Sequence, residues 1–258
     1  MKLRRKLLRV ATLLKACMLA YREVVYVMDL TDLRSKDEVY RYIEVNHTGT
    51  KCLHRVHAPF STTLTPKPEH AEVALLFNQG TAAMHLFSRL TKKLFEGLDV
   101  TPTVAEIEME KPKIPVKTGG GPIPKYFPHT VMVVRIDLTT EFWILDPTGA
   151  QYGIQDVFVP WKHYVEEYEV SLTKEYPFPV TETQDLDYFA TLPGATTFAA
   201  KIAKERQARI VFSSFVDCLV IENLLGVSET DFTRWVGEFQ ERLKEHLNRN
   251  FDYGEAAE

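Results

Sequence analysis

His129 and Asp146 are the residues whose types and placement could do chemistry. They sit in two apolar, β-branched or aromatic runs, His129-Thr-Val-Met-Val-Val-Arg135 and Phe142-Trp-Ile-Leu-Asp146-Pro-Thr148, linked by Thr139-Thr140. Such a pair of runs predicts an antiparallel hairpin, 130–138 with 141–146. A histidine heading one strand and an aspartate closing the next then meet at one end of the sheet. The carboxylate would accept the Nδ1 proton, fix the tautomer and leave Nε2 as a general base. The plainer alternative is a His and an Asp that only terminate strands.

A base needs something to activate. Asn78-Gln79-Gly80-Thr81 reads as a helix start, followed by Met84, Phe87, Leu90, Leu94 and Leu98 at helical spacing. The Thr81 hydroxyl is one candidate nucleophile, with Asn78, Gln79 and Gly80 around it as oxyanion or substrate contacts. Threonine at a helix start equally caps the helix without any chemistry. Cys52 is the second candidate, because a thiolate beside His54 and His57 could be activated by imidazolium, although residues 46–68 read as loop. His47, Cys52, His54 and His57 also supply zinc-ligand types, but their spacing fits no standard module, so no metal and no cofactor are expected. Cys17 and Cys218 lie on apolar helical stretches and read as core. Trp143 and Tyr152 could line a pocket or simply pack.

These residues resemble the transglutaminase-like branch of the papain-type superfamily, which includes the arylamine N-acetyltransferases. The resemblance covers residues 70–155. In that family a nucleophile heads a helix, a His opens a strand and an Asp closes the next strand just before Pro. The resemblance implies His129 as base and Asp146 as its orienter. The chain departs from the pattern at the nucleophile: the helix that should begin with Cys begins Gln79-Gly80-Thr81-Ala82. Asp146-Pro-Thr-Gly-Ala-Gln-Tyr-Gly153 also resembles a segment of fungal proteins of unassigned role.

Charge suggests the substrate. Between Glu110 and Asp137 stand Lys111, Lys113, Lys117, Lys125 and Arg135 with no acid, and the N-terminal segment carries Arg4, Arg5, Lys6 and Arg9. Net charge is −4, so any affinity for phosphate must be local. Gly119-Gly120-Gly121 lacks the strand-loop-helix context of a Walker loop and reads as a hinge in a lid over 111–128. The expected function is amide-forming acyl transfer to a small-molecule acceptor, with aminoacyl-tRNA or acyl-CoA as donor. Cyclodipeptide synthases of secondary metabolism work on aminoacyl-tRNA in a comparable way. Glu106, Glu108 or Asp99 would select a cationic side chain. A non-catalytic binding module of the same fold and a small amide or peptide hydrolase are the alternatives, and a solvated basic surface is the alternative for the lysines.

The elements that must position these groups follow from patterning. The chain has 258 residues, 45% hydrophobic and 26% charged, the composition of a globular protein. Helices are predicted over 3–28, 37–45, 69–77, 82–98, 160–168, 196–225 and 228–248, and a strand over 103–110. Ser228 and Asp231 form a near capping box, and Gly226 reads as a helix stop. The fold class is α+β: a helical N-terminal part (1–68), a core (69–155) around a central antiparallel sheet, and a C-terminal helical pair (156–258) in one domain. Arg9, Lys15 and Arg22 interrupt the longest apolar stretch, so no membrane span is expected. Three widely spaced cysteines argue for a reducing, cytoplasmic setting, with the basic N-terminus as an organelle presequence the alternative.

Overall fold

A buried stripe at three- and four-residue spacing makes the first helix: Leu7, Val10, Leu14, Cys17 and Tyr21 of α1 (Lys2–Val24) all lie in the core. The computed structural model describes residues 2–26, 30–36, 42–47, 60, 68–118, 123–137, 139–221 and 224–252. Among these no helix is long and apolar enough to cross a membrane.

The helix expected over 37–45 is corrected. β1 (Leu30–Lys36) pairs antiparallel with β2 (Tyr42–His47), and β2 pairs in parallel with β4 (Val116–Thr118). Tyr42-Ile-Glu-Val45 alternates with β-branched residues, a strand signal that outweighs the helical spacing of the charges before it. β4 also removes part of the expected irregular lid, since Ile43 sits opposite Val116. Gly119, Gly120 and Gly121 lie outside the described residues.

The main sheet is antiparallel and five-stranded, in the order β7-β6-β5-β3-β8: β3 (Val100–Met109), β5 (Phe127–Ile136), β6 (Glu141–Leu145), β7 (Phe158–Pro160) and β8 (Val170–Pro177). Its centre is the expected hairpin, with Ile136 opposite Glu141 and Met132 opposite Leu145. Thr140 takes a left-handed conformation (φ 57°) in the turn. Sequence reading missed β8 despite the alternation of Val170, Leu172, Lys174 and Tyr176, because these residues are largely solvent-facing.

The expected helix over 82–98 is two, α3 (Gly80–Leu86) and α4 (Ser88–Phe95), separated at Phe87. They follow α2 (Pro68–Leu76) and precede α5 (Trp161–Tyr168), α6 (Gln184–Phe189), α7 (Ala199–Asp217) and α8 (Glu229–Asn250). The helix read over 196–225 ends at Asp217, and Gly226 belongs to a short 3₁₀ turn. Cys218 is exposed there, whereas Cys17 is buried as expected. α3 packs on β5, α2 on the 149–152 turn, and α1 on α2 and α8.

Ser228 caps α8 by accepting the Asp231 N–H at 3.1 Å. Arg9 completes that joint. It is only 2% exposed and donates to the Leu225 and Val227 carbonyls at 3.2 and 2.8 Å, then to Glu229 at 3.0 Å. Its guanidinium thus anchors the start of α8 instead of facing solvent. We predict that Arg9→Ala, which strands two part-buried carbonyls, lowers the unfolding free energy by about 1–2 kcal/mol in urea denaturation. An unchanged midpoint would refute the anchoring role.

Candidate functional site

The site begins with the hairpin register. Met132 faces Leu145, so Asp146, one step further, lies diagonal to His129 across the strand pair. The His129 Nε2–H donates to both carboxylate oxygens of Asp146, at 3.0 and 2.9 Å. This corrects the expected polarity of the ring: Nε2, not Nδ1, meets the aspartate.

Nδ1 faces Gln151, whose Nε2 donates to it at 3.3 Å. The Gln151 amide cannot turn freely, because its Oε1 accepts the backbone N–H of Asn78 at 3.0 Å. An acceptor oxygen on Asn78 leaves the amide NH₂ for His129, so Nδ1 carries a lone pair and Nε2 the proton. Asn78 holds its N–H there in a left-handed conformation (φ 57°), between α2 and α3. Gln151 is the residue that sequence reasoning missed, although it stood inside the motif already singled out.

That motif, 146–153, is a set of local constraints. Asp146 is 1% exposed, so its charge must be met by donors: besides His129 it accepts the Thr148 N–H at 3.2 Å and the Tyr164 hydroxyl at 2.9 Å. Gly149 leaves the carboxylate its space, since a Cβ there would stand 2.5 Å from Asp146 Oδ2. Tyr152 packs edge-on against the His129 ring at 5.4 Å and donates to the Pro128 carbonyl at 2.9 Å. Burial first, then the Asp146 charge, pushes the Tyr152 and Tyr164 phenols above their usual range. Gly153 closes the turn in the left-handed region at φ 76°.

His129 and Gln151 line a cavity of about 290 Å³ with Asn78, Gly80, Thr81, Thr130, Glu106 and Glu108. Tyr176 lies against Glu106, and burial together with that carboxylate pushes its phenol up to about 12. Asp99, the third acid considered, is not among the lining residues.

The nucleophile candidates fare differently. The Thr81 hydroxyl reaches the cavity, but its hydrogen bond is to the Thr130 hydroxyl, 3.0 Å away. It does not cap the helix: α3 starts at Gly80, and Gln79 occupies the N-cap without a side-chain bond. Gln79 is not beside His129 either. Its amide donates to the Phe77 carbonyl at 3.1 Å, and it lines a neighbouring cavity. Gly80 packs against Thr130, where a Cβ would meet the backbone at 3.0 Å. Cys52, with His54 and His57, lies outside the described residues. Among the described residues no cluster of His, Cys, Asp and Glu could hold a metal ion.

Trp143 is away from the cavity, stacked on Phe158 at 4.5 Å and covered by Arg4. The basic residues read as phosphate contacts are largely paired with carboxylates: Arg4 with Glu141, Arg5 and Arg9 with Glu229, Lys111 with Glu169 and Lys113 with Glu167. Lys125 lies over the Tyr126 ring, and Lys6 lines a separate cavity with Lys93. Lys117 lies in β4. Of these, Arg4, Arg5, Lys6, Arg9, Lys111, Lys113 and Lys125 do not line the His129 cavity.

The chain matches no protein-family model, no curated protein and no solved structure.

We predict that Gly149→Ala, which drives a methyl into the Asp146 carboxylate, destabilises the protein by about 1–3 kcal/mol on thermal or urea unfolding. Gly237→Ala is the control, at an exposed helical glycine with nothing within 4 Å of its would-be Cβ and no positive φ. Equal losses at the two glycines would show that crowding of Asp146 contributes nothing.

Proposed function

We propose that the chain forms amides by acyl transfer on a transglutaminase-like arrangement of helix and hairpin, with His129 as the base that accepts a proton from an amine. One observation supports this above the others: an oriented, buried histidine shares a cavity with two carboxylates, Glu106 and Glu108. Carboxylates attract a cationic or amine-bearing acceptor. A histidine whose lone pair is fixed at Nδ1 is matched to taking the proton of that amine.

The amine nitrogen attacks the carbonyl of an ester or thioester donor. The new C–N bond forms, the C–O or C–S bond breaks, and the proton passes through Nδ1 to the leaving oxygen or sulfur. For the amine proton to reach Nδ1, the Gln151 Nε2–H must first leave that nitrogen. Direct aminolysis of this kind needs no protein nucleophile, in keeping with the pairing of Thr81 to Thr130. Aminoacyl-tRNA and acyl-CoA remain the two donor classes proposed. Because most of the basic residues are paired with acids, recognition of the donor's phosphates would have to displace carboxylates from them.

The binding-module reading is favoured by a different observation: both nitrogens of His129 already have protein partners. One experiment separates the two. Purified full-length protein is incubated with charged tRNAs or acyl-CoAs plus amine acceptors, and amides are followed by mass spectrometry. The proposal expects a product whose rate falls about 100-fold or more in His129→Ala, with Glu106→Gln raising KM for the amine. Turnover unchanged in His129→Ala contradicts it, and so does the absence of product from every donor.

A further inference from the structure

Beside the His129 cavity, and separated from it by Asn78, lies a larger one of about 570 Å³. Its walls are the apolar faces of α6, the following loop and α7, among them Leu186, Phe189, Leu192, Phe198 and Ile202. Phe189, Leu192 and Phe198 are 44%, 38% and 51% exposed, unusually high for large apolar residues gathered at one opening.

The polar part of this cavity includes Arg22 of α1, which exposes only 1% of its surface. Its guanidinium donates to the Leu75 and Val25 carbonyls at 3.3 and 2.8 Å and rests over the Tyr26 ring. Nη2 has no hydrogen-bond partner among the described residues, although the charge of Glu205, in the same cavity, acts on Arg22. Arg209, in the same cavity, is by contrast held by Asp185 at 2.6 Å and Glu205 at 2.9 Å. Burial pulls the Arg22 pKa below the ordinary arginine value. A buried cation with a donor left over is costly unless an acceptor completes it.

We propose that this cavity binds a small amphiphilic carboxylate, its carboxyl group completed by Arg22 and its apolar body lying against Leu186, Phe189, Leu192 and Ile202. The unsatisfied Nη2 of a guanidinium selects a carboxylate head, because a hydrogen bond from a cation to an anionic oxygen is stronger than one to a neutral acceptor. Apolar walls of this size select a hydrocarbon body over a polar one. The site does not depend on the acyl-transfer reading, and its ligand is bound, not consumed.

Titration calorimetry of the full-length protein with dodecanoate, dodecanol and dodecyltrimethylammonium, each below its micellar concentration and with no acyl donor present, tests this. The expected result is saturable binding of one dodecanoate per chain, about tenfold or more tighter than dodecanol, with no binding of the cation. Leu192→Glu, at a wall position that is already partly exposed, should abolish it. Arg22→Met should leave dodecanoate no tighter than dodecanol. If that variant fails to fold, the wild-type comparison of head groups and Leu192→Glu still decide. Equal affinity for dodecanoate and dodecanol, no saturable binding of dodecanoate, or binding untouched by Leu192→Glu would each overturn the proposal.

Discussion

A buried carboxylate is the constraint on which the site depends. Asp146 is taken almost wholly out of water, and an isolated carboxylate there would cost several kcal/mol. Three residues meet it with donors: His129 with its ring, Tyr164 with its hydroxyl, and Thr148 with its N–H and hydroxyl. Each comes from a different part of the fold. His129 is set by the β5–β6 register, Tyr164 by α5, and Thr148 by the turn that Pro147 and Gly149 shape. Shifting the hairpin by one residue would face His129 away from its aspartate.

The second consequence runs outward from the ring. With Nε2 committed to Asp146, Nδ1 is left toward Gln151, and Gln151 is in turn held by the Asn78 N–H at the junction of α2 and α3. The chain of bonds therefore ties the sheet to the helical layer through one imidazole. It also sets two cavities against each other across Asn78. One is polar and acidic beside His129, and the other is apolar with Arg22 among its lining residues.

Much of this was legible in the sequence. The hairpin, the meeting of His129 with Asp146 and the Ser228 cap all follow from local patterns, and local patterns are what a sequence displays. The direction of the imidazole was not legible, because it depends on Gln151, whose partner Asn78 lies far away in the chain. Nor was the fate of the basic residues. Arg9 reads as a surface cation until α8 is packed on α1, and Lys111 and Lys113 read as free until Glu169 and Glu167 are brought beside them. The pairing of β2 with β4 likewise joins segments far apart in sequence, which no window of neighbouring residues can show. Acidic residues brought from elsewhere thus occupy cations that the sequence offers to a phosphate-rich donor.

The orientation of the His129 ring is the claim on which the chemistry rests, and nitrogen-15 NMR of its imidazole reads it directly. For the neutral ring the account predicts a protonated Nε2 with a slowly exchanging hydrogen, a pyridine-like Nδ1, and a shift of the Nδ1 resonance in Gln151→Leu. A proton on Nδ1, or two averaged nitrogens indifferent to Gln151, would contradict it.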